Sequence, residues 1–282
     1  MSMAGSRGRA GVVISVMVVV VSAGRVAEAG PGAGAIDGWS RYVAAVERRR
    51  EMEQTDASRF LALDFDGDAV SVRRALTAGA MVAREIDGPD GTGDDIDVPG
   101  AAVHHWRGAV FVPGISVREL MAGLAAGPPA GPDVLRAAVL RRDPAGMRVF
   151  LRVQRTRFVT VVFDTEHEVR FTLDGRGRAS SHSVAVRIAE VADAGGPREH
   201  ELPTAEDHGY LWRLNAYWRY EAVAGGVIAE CESISLSRSV PFGLQYLAGP
   251  LIRRAARESM ERTLAALTVF KRNRETEDSR LQ

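Results

Sequence analysis

The chain has little of what many chemistries require. Lys271 is its only lysine, so all other basic residues are arginine and mechanisms that need a lysine in the core are excluded. Cys231 is its only cysteine. An intramolecular disulfide is therefore excluded, and a lone thiol in an oxidising compartment is best tolerated when buried. Charge of one sign is also missing. The 36 basic residues balance 36 acidic ones, which leaves no net attraction to nucleic acid or to an anionic membrane surface. Apart from the N-terminus there is no long apolar run, and no internal repeat is visible.

At 282 residues and 46% hydrophobic content, the chain can bury one sizeable core with appendages. The N-terminus has the parts of an export signal. Arg7 and Arg9 form a basic region, Val12 to Val21 is apolar, and Ala27-Glu28-Ala29 is a small-residue cleavage site. The apolar run is shorter than the ~20 residues of a membrane-spanning helix. A signal peptide over 1–29 is expected, with a mature protein starting near Gly30 and a periplasmic or extracellular location. Residues 30–38 read as a Gly/Ala/Pro-rich linker, and Trp39 to Gln54 as a helix on the spacing of Trp39, Tyr42, Val43 and Val46. Phe60 to Phe65, Val70 to Leu76 and Met81 to Ile86 read as short strands or loops, and Gly88 to Pro99 as an acidic loop.

From His104 the pattern is firmer. A strand over His104 to Val112 is closed by Pro113-Gly114, and a short helix follows over Val117 to Ala125. Strands are expected at Val134–Arg141, Met147–Gln154, Phe158–Thr172 and Ser180–Val191. A terminal hairpin then runs from Tyr210 to Arg238, turning at Ala224-Gly225-Gly226. If Ala222 pairs with Val227, Arg219 faces Glu230, Tyr217 faces Glu232, Trp218 faces Cys231 and Ala216 faces Ser233. Alternation puts Tyr210, Trp212, Leu214, Ala216, Trp218 and Tyr220 on one apolar face. The Arg219–Glu230 pair falls on the other face, where it is expected to be exposed and worth no more than about 1 kcal/mol. Pro241 to Phe270 reads as a long amphipathic helix with a thin stripe of small and apolar residues.

Tempting motifs dissolve on inspection. Leu61 to Asp68 carries Asp-x-Asp-Gly like a phosphatase opening, but that chemistry needs a lysine the core lacks. A calcium loop from Asp64 fails because its twelfth position is Ala75. His104 and His105 are adjacent in a strand and point to opposite faces, so they cannot share a metal. His200, Glu206, Asp207 and His208 match no metal spacing and read as a polar loop. No metal or cofactor is expected. In Asp164-Thr165-Glu166-His167-Glu168 the three carboxylates share one face, which leaves His167 in the apolar row, where a satisfied core histidine is the simpler reading.

The order of elements, with Trp212-Arg213-Leu214-Asn215 through Val240-Pro241 and the helix segment Arg257 to Glu261, resembles the START and polyketide-cyclase-like superfamily. The resemblance covers His104 to about Phe270. It implies an α+β helix-grip fold, a curved antiparallel sheet wrapped on a long C-terminal helix, here over residues 100–272. The N-terminal helix and segment 39–99 are then additional, and 273–282 is a polar tail. It also implies a hydrophobic small-molecule partner of lipid, isoprenoid or polyketide-like character, held between sheet and helix by Trp106, Phe163, His167, Trp212, Trp218, Ser233 and Ile252. Two other readings stand beside it. One is a cyclase or dehydratase with His167 or His182 as an inward general acid or base. The other is an envelope interaction module with a filled core, in which the helix Trp39 to Gln54 docks a partner.

Overall fold

The computed structural model describes residues 30–91, 93, 96–127, 133–156, 160–204, 206–239, 253, 254 and 256–268. Residues 1–29, expected above to be a signal peptide, residues 240–252 with Ile252, and the expected tail 273–282 lie outside them. Nine antiparallel strands form one curved sheet: β1 (Met81–Glu85), β2 (Ala101–Pro113), β3 (Val134–Asp143), β4 (Gly146–Thr156), β5 (Thr160–Leu173), β6 (Arg178–Ala192), β7 (His200–Glu201), β8 (Arg213–Val223) and β9 (Gly226–Arg238). Their order is β1-β2-β9-β8-β6-β5-β4-β3, with β7 on the end of β6. The fold is α+β and of the helix-grip type, with a C-terminal helix packed on the sheet.

Three helices precede that one: α1 (Ala33–Gln54), α2 (Ala69–Thr77) and α3 (Val117–Ala126). The expected linker is thus helical from Ala33, because Ala35, Trp39, Tyr42 and Val46 already continue one buried stripe. The segments expected as short strands or loops resolve three ways. Ala62–Phe65 is a 3₁₀ turn, Ala69–Thr77 is α2, and only Met81–Glu85 is a strand. Helix α3 starts on a capping box, in which Ser116 accepts from the Glu119 backbone N–H and the Glu119 carboxylate accepts from the Ser116 backbone N–H. Residues 256–268 form α4, the described part of the terminal helix.

The hairpin register is the expected one, with Ala222 on Val227, Arg219 on Glu230, Trp218 on Cys231 and Ala216 on Ser233. What surrounds it differs from expectation. Both faces of β2, β9 and β8 are covered. Helices α3 and α4 lie on one face, where Leu120, Met121, Met260 and Leu264 pack on Trp106, Val110, Ala229 and Tyr220. The opposite face carries α1, through Trp39, Tyr42 and Val46 on Tyr217, Ile234 and Leu236, and the 3₁₀ turn with α2, through Leu61, Leu63 and Leu76 on Ala109 and Ile228. Gly108 marks where α4 sits closest to the sheet, since a Cβ there would come within 2.8 Å of both Met260 and Leu264.

Candidate functional site

The face under α3 and α4 is the concave one, and pairing aligns its side chains in rows. One row reads Trp106, Ser233, Ala216, Ser183, Val169 and Met147 from β2 across to β4, and the next reads Gly108, Cys231, Trp218, Ser181 and Phe171. In the first row small residues hold the centre and large ones the flanks, whereas Trp218 stands at the centre of the second. In β8 and β9 the central positions Leu214, Ala216, Trp218, Ser233 and Ser235 stay half-exposed, as do Ser183, Val169 and Phe171 beside them. The alternate residues of the same hairpin strands, Glu230, Glu232 and Ile234, are fully buried on the convex face.

The polar groups at the centre of the concave face are uncharged. The Trp106 indole N–H is buried and has no hydrogen-bond partner among the described residues. His167 is buried between two hydroxyls, Nε2 lying 3.0 Å from Thr165 Oγ1 and Nδ1 3.3 Å from Ser183 Oγ. Burial lowers its pKa to about 4, so at neutral pH the ring is uncharged. Ser181 Oγ lies 3.3 Å from the Tyr220 hydroxyl. Burial raises the pKa of both Tyr220 and the Cys231 thiol, leaving each neutral. Phe163 is buried farther along the same face, opposite Val153 of β4 and Glu190 of β6.

Trp106, Trp218, Ser233, His167 and Phe163 therefore share one face of the sheet. Trp212 does not join them. It precedes β8, where strand alternation does not yet hold, and it packs with Trp39 and Leu236 on the α1 side, its N–H 3.4 Å from Asp207 Oδ1. Ile252 lies outside the described residues. His182 is also not inward. It pairs with Tyr217 and stacks on that ring at 4.4 Å on the convex face, which removes it as an acid or base for anything bound in the concavity.

The convex face holds a charge cluster that alternation alone marked as solvated. Glu232 accepts from Arg49, from Arg50 at 2.9 Å and from His105 Nε2 at 2.7 Å, and the other ring nitrogen of His105 lies 3.0 Å from the Tyr42 hydroxyl. Arg219 pairs with Glu53 at 2.6 Å and donates to the Phe60 carbonyl. Glu230 takes the backbone N–H groups of Ala62 and Leu63 at 2.6 and 2.8 Å. Burial pushes Glu232 up, but the His105 hydrogen bond and the charges of Arg49 and Arg50 outweigh it and hold its pKa well below the ordinary carboxylate value. For Glu230 burial wins, and its pKa is raised. The expected exposed Arg219–Glu230 pair is thus corrected. Both are buried because α1 and the 3₁₀ turn supply partners from more than 150 residues away in sequence.

The acidic motif near Asp64 is absorbed here as well. Asp64 accepts from the backbone of Phe60 and Leu61 and from Arg73, and Asp66 accepts from Arg107 and Arg84. Helix α1 spends its apolar stripe on its own sheet, so the stripe is not free to dock a partner. Two surface clefts also occur. One of ≈ 470 Å³ lies beside Arg59, Arg73 and Glu221, and one of ≈ 190 Å³ beside Pro31, Arg187 and Trp212. Neither is lined by α4.

No family model matches the chain, and no curated protein matches it. Solved structures do. A STAR-related lipid transfer protein fragment from Xanthomonas axonopodis is similar at 16% identity over 61% of this chain and 95% of its own, with a TM-score of 0.41. A START superfamily protein from Mycobacterium smegmatis is similar at 13% identity over 58% and 94%, with a TM-score of 0.36. The Zhui aromatase/cyclase from Streptomyces sp. R1128 is similar at 16% identity over 61% and 90%, with a TM-score of 0.30.

Proposed function

We propose that the protein binds a hydrophobic small molecule, lipid, isoprenoid or polyketide-like, in the concavity between the sheet and α4. The observation that carries this is the half-exposed, mostly apolar centre of the concave face, beside a Trp106 indole N–H that is unpaired among the described residues. Covering that face would remove apolar area from water at roughly 25 cal/mol per Å². A ligand carbonyl or hydroxyl would satisfy the Trp106 donor, which otherwise bears the cost of a buried unmade hydrogen bond. Trp106, Trp218 and Ser233 form the near wall in this reading, with His167 and Phe163 farther across the sheet.

Binding without catalysis is the better-supported form. Both ring nitrogens of His167 are within reach of neutral hydroxyls and the ring stays neutral, which suits a fixed hydrogen-bonding post better than a proton carrier poised near pH 7. The chain acts, in this reading, after export. N-terminal sequencing of the secreted form should begin near Gly30, and an intact Met1 form extractable only with detergent would refute this.

The test is uptake of a fluorescent fatty acid by purified wild type and by Ser233→Leu. Ser233 faces Ala216 on one side and Trp106 on the other, so a leucine fills the centre of the concavity. Saturable wild-type binding that weakens severalfold in the folded variant supports the site. Equal binding by both proteins would move it elsewhere, and no binding across a broad hydrophobic library would remove the proposal.

A further inference from the structure

The concave face ends in an unbalanced cluster of charge. Strand β4 turns Leu151, Val153 and Arg155 to the same face as Phe163, Arg155 lying opposite Val161 one step beyond the Val153–Phe163 pair. Arg155 Nη1 donates to Asp133 Oδ2 at 2.9 Å, and Arg262 Nε of α4 donates to that same oxygen at 2.7 Å. Two guanidinium groups, one from the sheet and one from the helix, therefore share one carboxylate. Among the described residues the remainder is a single positive charge. The other carboxylates of α4 are engaged along the helix, Glu258 with Arg254 and Glu261 with Arg257. Glu190, which also belongs to this face, receives the His208 backbone N–H and lies 2.6 Å from the His208 ring.

An under-neutralised pair of arginines at the edge of an apolar face offers an anion charge-assisted hydrogen bonds. Burial lowers the pKa of the Arg155 guanidinium, Asp133 opposes this, and the charge of Arg262 adds to the lowering. The side chains of Arg155 and Arg262 are 41% and 37% exposed, so their remaining N–H groups can be reached. We propose that Arg155 and Arg262 bind the carboxylate head of an amphiphile whose apolar tail lies along the concave face. The inference rests on the hydrophobic-ligand reading above and narrows it to singly charged carboxylates. One net positive charge matches one carboxylate, and arginine presents paired N–H donors suited to it.

The test compares hexadecanoate with hexadecanol, which share a tail and differ in the head. Full-length protein should bind hexadecanoate about tenfold or more tightly, the scale of a charge-assisted contact. Arg155→Gln and Arg262→Gln should each lose most of that preference while keeping hexadecanol binding, and Asp133→Asn should strengthen hexadecanoate alone. Circular dichroism on each variant checks folding. Should a single variant fail to fold, the wild-type ratio and the other variants still decide. Equal wild-type binding of both probes, or a preference that survives both arginine changes, overturns the inference and leaves hydrophobic binding standing. Binding of neither probe overturns both.

Discussion

The two faces of the β8–β9 hairpin are built on opposite principles. The convex face carries Arg219, Glu230, Glu232 and, from β2, His105 and Arg107, all buried. The concave face carries Ala216, Trp218, Ser233 and Ser235, mostly uncharged and half-exposed. Charged residues are sealed in on one face, while small and uncharged ones stay partly open at the centre of the other. The difference shows what each face does. A buried charge network tolerates little misplacement, so the convex side fixes α1 and the 3₁₀ turn in one position. The concave side holds α3 and α4 by apolar packing, and its half-exposed centre is the part a ligand could cover.

The contrast is broken most severely at Glu232. Glu232→Ala strands Arg49 and Arg50 in a buried site, and chemical denaturation should register a loss of about 3–5 kcal/mol. A loss below about 1 kcal/mol would show that water reaches the cluster and that the convex face is not sealed.

Acid titration sharpens the comparison next. His167 has a pKa of about 4 when folded against 6.5 otherwise. The stability this represents is complete above pH 6.5 and is lost as pH falls toward 4, by up to about 3 kcal/mol. Glu232 works lower, contributing above its ordinary 4.5 and losing that contribution as pH falls further. His167→Gln should therefore flatten the upper part of the acid profile and leave the lower part. Because burial also lowers the pKa of His104 and His182, some slope between pH 6.5 and 4 should remain. An unchanged profile would mean that His167 is hydrated.

Smaller effects follow at the helix contacts. Gly108→Ala presses on Met260, Leu264 and the Val82 carbonyl, and thermal or denaturant unfolding should show a cost of about 1–3 kcal/mol. A neutral outcome would place α4 farther from the sheet. Glu261→Ala removes only an exposed pair with Arg257, and should change stability by no more than about 0.5 kcal/mol. Set beside Glu232→Ala, it measures how much burial changes the worth of a charge.

The hairpin register and the alternation of its side chains were readable from the sequence, since period-two patterning and a Gly-Gly turn constrain pairing locally. The same alternation misassigned the charged face. Nothing local distinguishes an arginine facing water from one facing Glu53, and the residues that bury Arg219 lie at the other end of the chain. Residues 62–77 were misread because short apolar runs serve helix and strand alike. Trp212 failed for a narrower reason, because alternation was extended back to Tyr210, ahead of the start of β8 at Arg213. On the concave side, His167 was correctly placed in the inward row. The Arg155–Asp133–Arg262 cluster was missed because its members come from three separate elements and carry no common spacing.

The long sequence separation of the convex contacts also bears on how the protein folds. Arg49 meets Glu232 across 183 residues, and Tyr217 meets Glu47 across 170. During synthesis α1 emerges first, yet its ionic partners arrive only with the last hairpin. Until then Arg49 and Arg50 lack Glu232, and the apolar stripe beside them lacks Ile234 and Leu236. Closure of so distant a contact is slow compared with local hairpin formation. A ribosome-bound chain ending before Gly226 should therefore carry α1 undocked and open to protease, and release of β9 should be the event that locks the first helix down.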